Sequence, residues 1–271
     1  NADGILIETM ALKPEENGKD VYTTIDAGVQ QSAYEQFAAD PAVAAAMDTT
    51  TGKMLALVST PGYDPNEFVL GMSDARWNAL NEDASNPLMN RFVNTWVPGS
   101  TFKGITAAVG VDAGIINPDE NLGYVGLSWQ KDASWGDYHV TTLTDYGETV
   151  NLVNAMTYSD NIYFAREALK IGADTMEEKL KSFGFEEELP FDLTMQASTF
   201  DDDGKIDSEI QLADTGYGQG QVLVNPIHLA SLYTMFPNQG TVIKPRLVYE
   251  AGMEAEPWLD RVFTPEITDR I

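Results

Sequence analysis

The chain contains no cysteine, which excludes disulfides, thiolate nucleophiles and thiolate-bound metals together. Histidine is nearly as scarce. His139 and His228 are the only two, too few for a multi-histidine metal centre, and no metal or other cofactor is expected. Positive charge is thin: 16 Lys+Arg stand against 42 Asp+Glu, a formal net charge of −26. Such a surface repels phosphate backbones and anionic membranes, so nucleic acid is excluded as a partner. The acid excess reads first as a solubility device or an adaptation to salt. Long apolar runs are missing as well. With no stretch of eighteen apolar residues and no basic-then-apolar opening, these residues hold neither a membrane span nor a signal peptide. An anchor belonging to an exported parent would lie outside them.

What is present is an ordinary globular composition of 43% hydrophobic residues, with glycine and proline spread rather than clustered. At 271 residues the chain can bury a core without disulfides or metals. Asp20–Ile25 alternates and is β-branched, predicting a strand. Asp26 then caps a helix running to about Ala39. Ala42–Met47 and Met54–Ser59, around a Gly52 turn, predict a hairpin. Pro98-Gly99 precedes a helix from Ser100 to about Ala113. Asn151–Thr157 and Asn161–Lys170 predict two helices broken at Tyr158-Ser159-Asp160. Asn225-Pro226 opens another helix, and Thr241–Ile243 returns as strand. The order predicts an α/β (α+β) fold, an antiparallel sheet with strands from both chain ends and a helical lobe inserted between them.

Ser100-Thr101-Phe102-Lys103 is an S-x-x-K motif at a helix start. Residues three apart share a helix face, which brings a serine hydroxyl and a lysine amine within hydrogen-bond reach. The hydroxyl is a weak nucleophile until a base takes its proton. Lysine serves as that base only if burial or nearby positive charge lowers its pKa. Taken alone, the spacing recurs by chance in most proteins. Ser159-Asp160-Asn161 adds a second hydroxyl and an amide at a helix break, although Ser, Asp and Asn are also the favoured N-caps. S-x-x-K with S-D-N and K-T-G is the signature set of penicillin-recognising serine enzymes.

Across nearly its whole length the chain resembles the transpeptidase domain of class B penicillin-binding proteins. The resemblance is carried by Tyr22–Asp26 with Gln30, the Met47-Asp48 to Met54–Ala56 hairpin and Pro61–Asn66. It continues through Asn90-Arg91-Phe92, Pro98–Lys103, Tyr158–Asn161 and Gly216–Gly220. It implies the penicillin-binding protein/β-lactamase-like fold over residues 1–271 and a peptidoglycan D,D-transpeptidase acting on D-Ala-D-Ala stem peptides. By the same resemblance, Ser100 is the acylated nucleophile, Lys103 its base and Ser159 a proton relay. Asn161 holds both Lys103 and substrate, and Gly218, Gln219 and Gly220 line the substrate site. β-Lactams are implied as covalent inhibitors, other cell-wall synthesis proteins as partners, and the extracytoplasmic face of the bacterial membrane as the location.

One part of the pattern is missing. No Lys-Thr-Gly or Lys-Ser-Gly follows Gly220, and Lys244 precedes a proline that argues against a cleft-lining strand. Thr264–Ile271 reads as the opening of a helix, so the domain is expected to be incomplete at its C-terminus and weakly active or inactive as it stands. The rivals are a serine β-lactamase or β-lactam sensor, told apart by acyl-enzyme lifetime, and a non-catalytic scaffold relative. Thr199–Ile210 fails as a calcium loop, because Thr199 and Ile210 occupy positions that need ligands. Trp96, Trp129, Trp135 and Tyr138 are expected to pack rather than line a groove, and His228 to sit in the core.

Overall fold

A computed structural model describes residues 16–37 and 40–271 of the chain. Helix α1 (Ala27–Phe37) starts where its cap requires, with the Asp26 carboxylate accepting from the N–H groups of Gly28 and Val29 at 2.9 and 3.0 Å. Its expected end at Ala39 lies outside the described residues. Strands β1 (Ala42–Met47) and β2 (Met54–Thr60) form the expected antiparallel hairpin, Ala42 opposite Thr60. Gly52 turns it with φ +77°. A Cβ there would stand 2.2 Å from the Lys244 carbonyl, so only glycine fits. The Gln30 amide accepts from Leu57 N–H and donates to Leu57 O, both at 2.8 Å, and so acts on β2 as a neighbouring strand would.

Beyond the hairpin come α2 (Asn66–Leu70), α3 (Asp74–Glu82) and a 3₁₀ turn over Gly99–Phe102 that leads into α4 (Lys103–Asp112). Strands β3 (Ser128–Trp129) and β4 (Val140–Thr141) pair antiparallel. Then follow α5 (Leu152–Thr157), α6 (Asn161–Ile171), α7 (Ala173–Ser182), α8 (Glu209–Thr215) and α9 (Pro226–Tyr233). Asn225 caps α9 by accepting from Ile227 N–H at 2.9 Å. Strands β5 (Val242–Ile243) and β6 (Pro257–Leu259) and the short α10 (Pro265–Thr268) complete the described chain.

The chain ends meet beside the hairpin as expected, but through isolated bridges rather than a full strand. Asp20–Ile25, expected as a strand, contributes one bridge, Thr23 to Val248, flanked by Thr24 N–H to Leu247 O and Tyr249 N–H to Tyr22 O, both 2.8 Å. The reason lies in the partner segment. Pro245 has no donor, and the Asp192 carboxylate takes the N–H groups of Leu247 and Val248 at 2.6 and 2.8 Å, so the ladder cannot continue.

Helix α4 sits at the centre of the helical lobe, and its residues Lys103 to Gly110 are all buried. Apart from Lys103, the residues of this buried stretch are apolar or small, which suits burial on every side. Helix α6 packs against both α4 and α8, while α9 lies across β1. A main core gathers Phe102, Ile105, Phe164, Phe183, Phe185 and Phe200, and a smaller one lies under the hairpin around Met54, Leu57, Met195 and Ile227. Each fully buried apolar side chain of this size contributes about 1.5–3 kcal/mol. That rigid centre carries the N-terminal end of α4, where the S-x-x-K motif lies.

Candidate active site

Ser100 does not stand in an α-helix, as its sequence predicts, but in the 3₁₀ turn that precedes α4. The difference favours the motif. In a 3₁₀ turn, residues three apart eclipse one another, and Lys103 Nζ lies 3.1 Å from Ser100 Oγ. Ser100 is exposed while Lys103 is only 2% exposed, so a buried amine faces an accessible hydroxyl.

The break between α5 and α6 delivers the second triplet. Ser159 has φ +55°, a left-handed conformation that ends α5 and turns the chain. The two readings of this triplet divide among its residues. Asp160 is the N-cap of α6, accepting from Ile162 and Tyr163 N–H at 2.8 and 3.2 Å. Ser159 and Asn161 on either side reach Lys103. Its Nζ is 2.7 Å from Ser159 O, 2.9 Å from Ser159 Oγ and 2.7 Å from Asn161 Oδ1, and Ser159 Oγ donates to Ser100 Oγ at 2.8 Å.

This geometry separates the amine's roles. Ser159 O and Asn161 Oδ1 can only accept, so they engage two N–H groups of a neutral amine. That leaves its lone pair for a hydroxyl. Burial lowers the Lys103 pKa to about 8, partly opposed by the charge of Asp160, which favours the protonated form. The Phe164 ring, 5.7 Å from Nζ, closes the apolar side. The arrangement can hold a proton from Ser100 on Lys103, or pass one along Ser159.

The model of the penicillin-binding protein transpeptidase domain matches residues 42–271. The chain belongs to this family. It is 45% identical over 259 residues to Penicillin-binding protein 3 of Bacillus subtilis, covering 96% of this chain and 39% of that protein. It is 30% identical over 270 residues to peptidoglycan D,D-transpeptidase MrdA of Escherichia coli, covering 96% and 42%. Among solved structures, Pseudomonas aeruginosa PBP2 in complex with WCK 5153 superposes with a TM-score of 0.81 at 28% identity, covering 93% of this chain and 58% of that one. The imipenem acyl-enzyme complex of penicillin-binding protein A from M. tuberculosis gives 0.79 at 26%, covering 92% and 61%. The chain spans about two fifths of the length of these two curated relatives.

The glycine segment of this transpeptidase domain supports the Ser100 turn from below. Gly218, with φ +73°, accepts from Gly99 N–H at 2.8 Å, and a Cβ there would meet Gly99 O at 2.2 Å and Phe102 Cβ at 2.6 Å. Gln219 and Gly220 are exposed, and the hydrogen bonds that join Ser100, Lys103, Ser159 and Asn161 do not include them. Lys244 is engaged elsewhere, 2.9 Å from Glu256. Trp135 is buried at 5% exposure, packed edge-on to Trp129 with ring centroids 5.5 Å apart. Trp96 keeps 39% exposure, its indole N–H donating to Arg91 O at 2.9 Å. His228 lies in the core between Ser198 Oγ at 2.7 Å and Phe183 O at 2.9 Å, and burial lowers its pKa to about 4. His139 contacts Asp137 O.

Two groups escaped sequence reasoning. Thr141 O accepts from Asn161 Nδ2 at 3.0 Å and so fixes which way the amide points. Tyr146 donates to Asp160 Oδ2 at 2.6 Å and stacks on Tyr158 at 4.8 Å. Neither belongs to a motif, and their only signal is proximity once the chain has folded.

Proposed function

We propose that this domain is the catalytic part of a peptidoglycan D,D-transpeptidase that works through an acyl-serine on Ser100. The observation that carries the reading is the convergence of Lys103 Nζ on Ser100 Oγ, Ser159 Oγ and Asn161 Oδ1 within 2.7–3.1 Å. Lys103, neutral in part near pH 8, takes the Ser100 proton as Oγ attacks the penultimate D-Ala carbonyl of a stem peptide. The tetrahedral intermediate collapses with loss of D-Ala, whose amine receives a proton through Ser159. An amine of a neighbouring strand then attacks the ester, regenerating the Ser100 hydroxyl and forming the cross-link.

Asn161 steadies Lys103 and offers its amide to the acyl side chain, while Gly218, Gln219 and Gly220 border the substrate. β-Lactams acylate the same hydroxyl, a reading supported by the acyl-enzyme complexes named for the M. tuberculosis relative with imipenem, ceftriaxone and penicillin G. The parent protein works at the extracytoplasmic face of the bacterial membrane, held there by a segment outside these residues, alongside other cell-wall synthesis proteins.

No Lys-Thr-Gly or Lys-Ser-Gly triplet occurs among the 271 residues. On this reading they lack one oxyanion donor and the cation that holds the substrate carboxylate. A missing oxyanion donor raises the barrier by ~3–4 kcal/mol, so these residues alone turn over slowly. The test is release of D-Ala from an N-acylated peptide ending in D-Ala-D-Ala, by this chain and by its full-length parent. Release by the parent that vanishes in Ser100→Ala supports the reading. Undiminished release from Ser100→Ala sinks it, and rapid release by the 271 residues alone refutes the part concerning slow turnover.

A further inference from the structure

Behind the Ser159–Asn161 turn lies a small, partly open cavity of about 10 Å³, lined by Thr142, Tyr146, Asp160 and Arg166 together with the Gly123–Gly126 loop. A space of this size accommodates a single water molecule, and a buried water needs two to four polar partners. One wall group demands such a partner. Thr142 is 7% exposed, and its Oγ1 is sealed from solvent and has no hydrogen-bond partner among the described residues. Leaving a buried hydroxyl unsatisfied destabilises the fold.

The facing groups have capacity to spare. Asp160 Oδ1 accepts from two backbone N–H groups and Oδ2 from Tyr146, yet a carboxylate has about four acceptor sites. Arg166 donates to the carbonyls of Gly123 at 3.1 Å and Leu122 at 2.8 Å, using two of its five N–H groups.

We infer that this cavity binds one ordered water, held by Thr142 Oγ1 together with Asp160 and Arg166, and that Thr142 is thereby a positioning residue for Asn161. The link is short. Thr141, the neighbour of Thr142, accepts from Asn161 Nδ2 at 3.0 Å, and that bond aims Asn161 Oδ1 at Lys103 Nζ. The water would tie the residue that follows β4 to the cap of α6, so the peptide carrying the Thr141 carbonyl is held from both sides. Free to shift, β4 would release the amide, and Lys103 would lose an acceptor that favours its protonated form.

The inference rests on the proposed reading only for the roles of Lys103 and Asn161. Its test uses no acyl transfer, so the two can fail separately. Thr142→Val keeps the shape and removes the hydroxyl, whereas Thr142→Ser keeps the hydroxyl. Thermal unfolding and the ¹³C NMR titration of the Lys103 side chain are recorded for all three proteins. The expected result is a melting temperature lower by roughly 2–4 °C in Thr142→Val, with the Lys103 midpoint moved to lower pH, and a midpoint restored to the parent value in Thr142→Ser. An unchanged or raised melting temperature in Thr142→Val overturns the bound water, because removing an unsatisfied hydroxyl from a dry cavity relieves the fold. A lowered melting temperature with an unmoved Lys103 midpoint overturns the positioning role.

Discussion

The Lys103 amine sets a pH dependence that can be worked through from its surroundings. Burial brings its pKa from the ordinary 10.5 down to about 8. At pH 7 roughly a tenth of the molecules then hold the free base, about 300 times the fraction at the ordinary value, equivalent to ~3 kcal/mol of proton affinity. If Lys103 takes the Ser100 proton, acylation by a fluorescent penicillin rises about tenfold per pH unit up to pH 7 and levels off above 8. The stability of the fold follows the same group. Between pH 8 and about 10 the unfolded chain still binds the proton that the folded chain has lost, so stability rises with pH across that window. Asp160→Asn sharpens the test. Asparagine still caps α6, but the negative charge that favours protonated Lys103 is gone, so the midpoint moves to lower pH and acylation at pH 7 quickens. The assay is the observed acylation rate from pH 6 to 9 for both proteins. A rate that is flat through this range, or a midpoint that rises in Asp160→Asn, would refute Lys103 as the base.

Other consequences are open to simpler measurements. Gly218→Ala forces a Cβ to 2.2 Å from Gly99 O at φ +73°; it should lower stability by about 2–4 kcal/mol in denaturant titration and slow Ser100 labelling by displacing its turn. His228, buried neutral with a pKa near 4 against an ordinary 6.5, makes the unfolded state the better proton binder between those values. Stability should therefore fall as pH drops from 6.5 to 4, by at most about 3 kcal/mol, with a shallower slope in His228→Gln. Gln30→Ala removes two 2.8 Å hydrogen bonds to Leu57. It should cost about 1–2 kcal/mol in thermal unfolding while leaving the Lys103 midpoint in place.

Much of the candidate site was legible because it is written in short motifs. Ser100 and Lys103 are three residues apart, and the Ser159–Asn161 triplet sits at a break that helix periodicity reveals. What joins the two motifs is not local. The Lys103–Ser159 and Lys103–Asn161 contacts span 56 and 58 residues, and only the packing of α6 on α4 creates them. The 3₁₀ geometry at Ser100 was missed because propensity does not separate one tight helical turn from the first turn of an α-helix. The strand expected at Asp20–Ile25 was overstated for another reason. Its β-branched pattern is real, but its partner segment gives two N–H groups to Asp192, which lies far away in sequence. Tyr146 and Thr141 had no pattern at all, since each acts through a single contact made by the fold.

The central claim is that Ser100 Oγ is the nucleophile and Lys103 its base. Intact-mass and peptide mapping after prolonged incubation with benzylpenicillin at pH 8 tests this most directly. A single penicilloyl adduct should appear on the peptide carrying Ser100, disappear in Ser100→Ala, and form far more slowly in Lys103→Met. An adduct that maps to another residue, or one that persists in Ser100→Ala, would contradict the account.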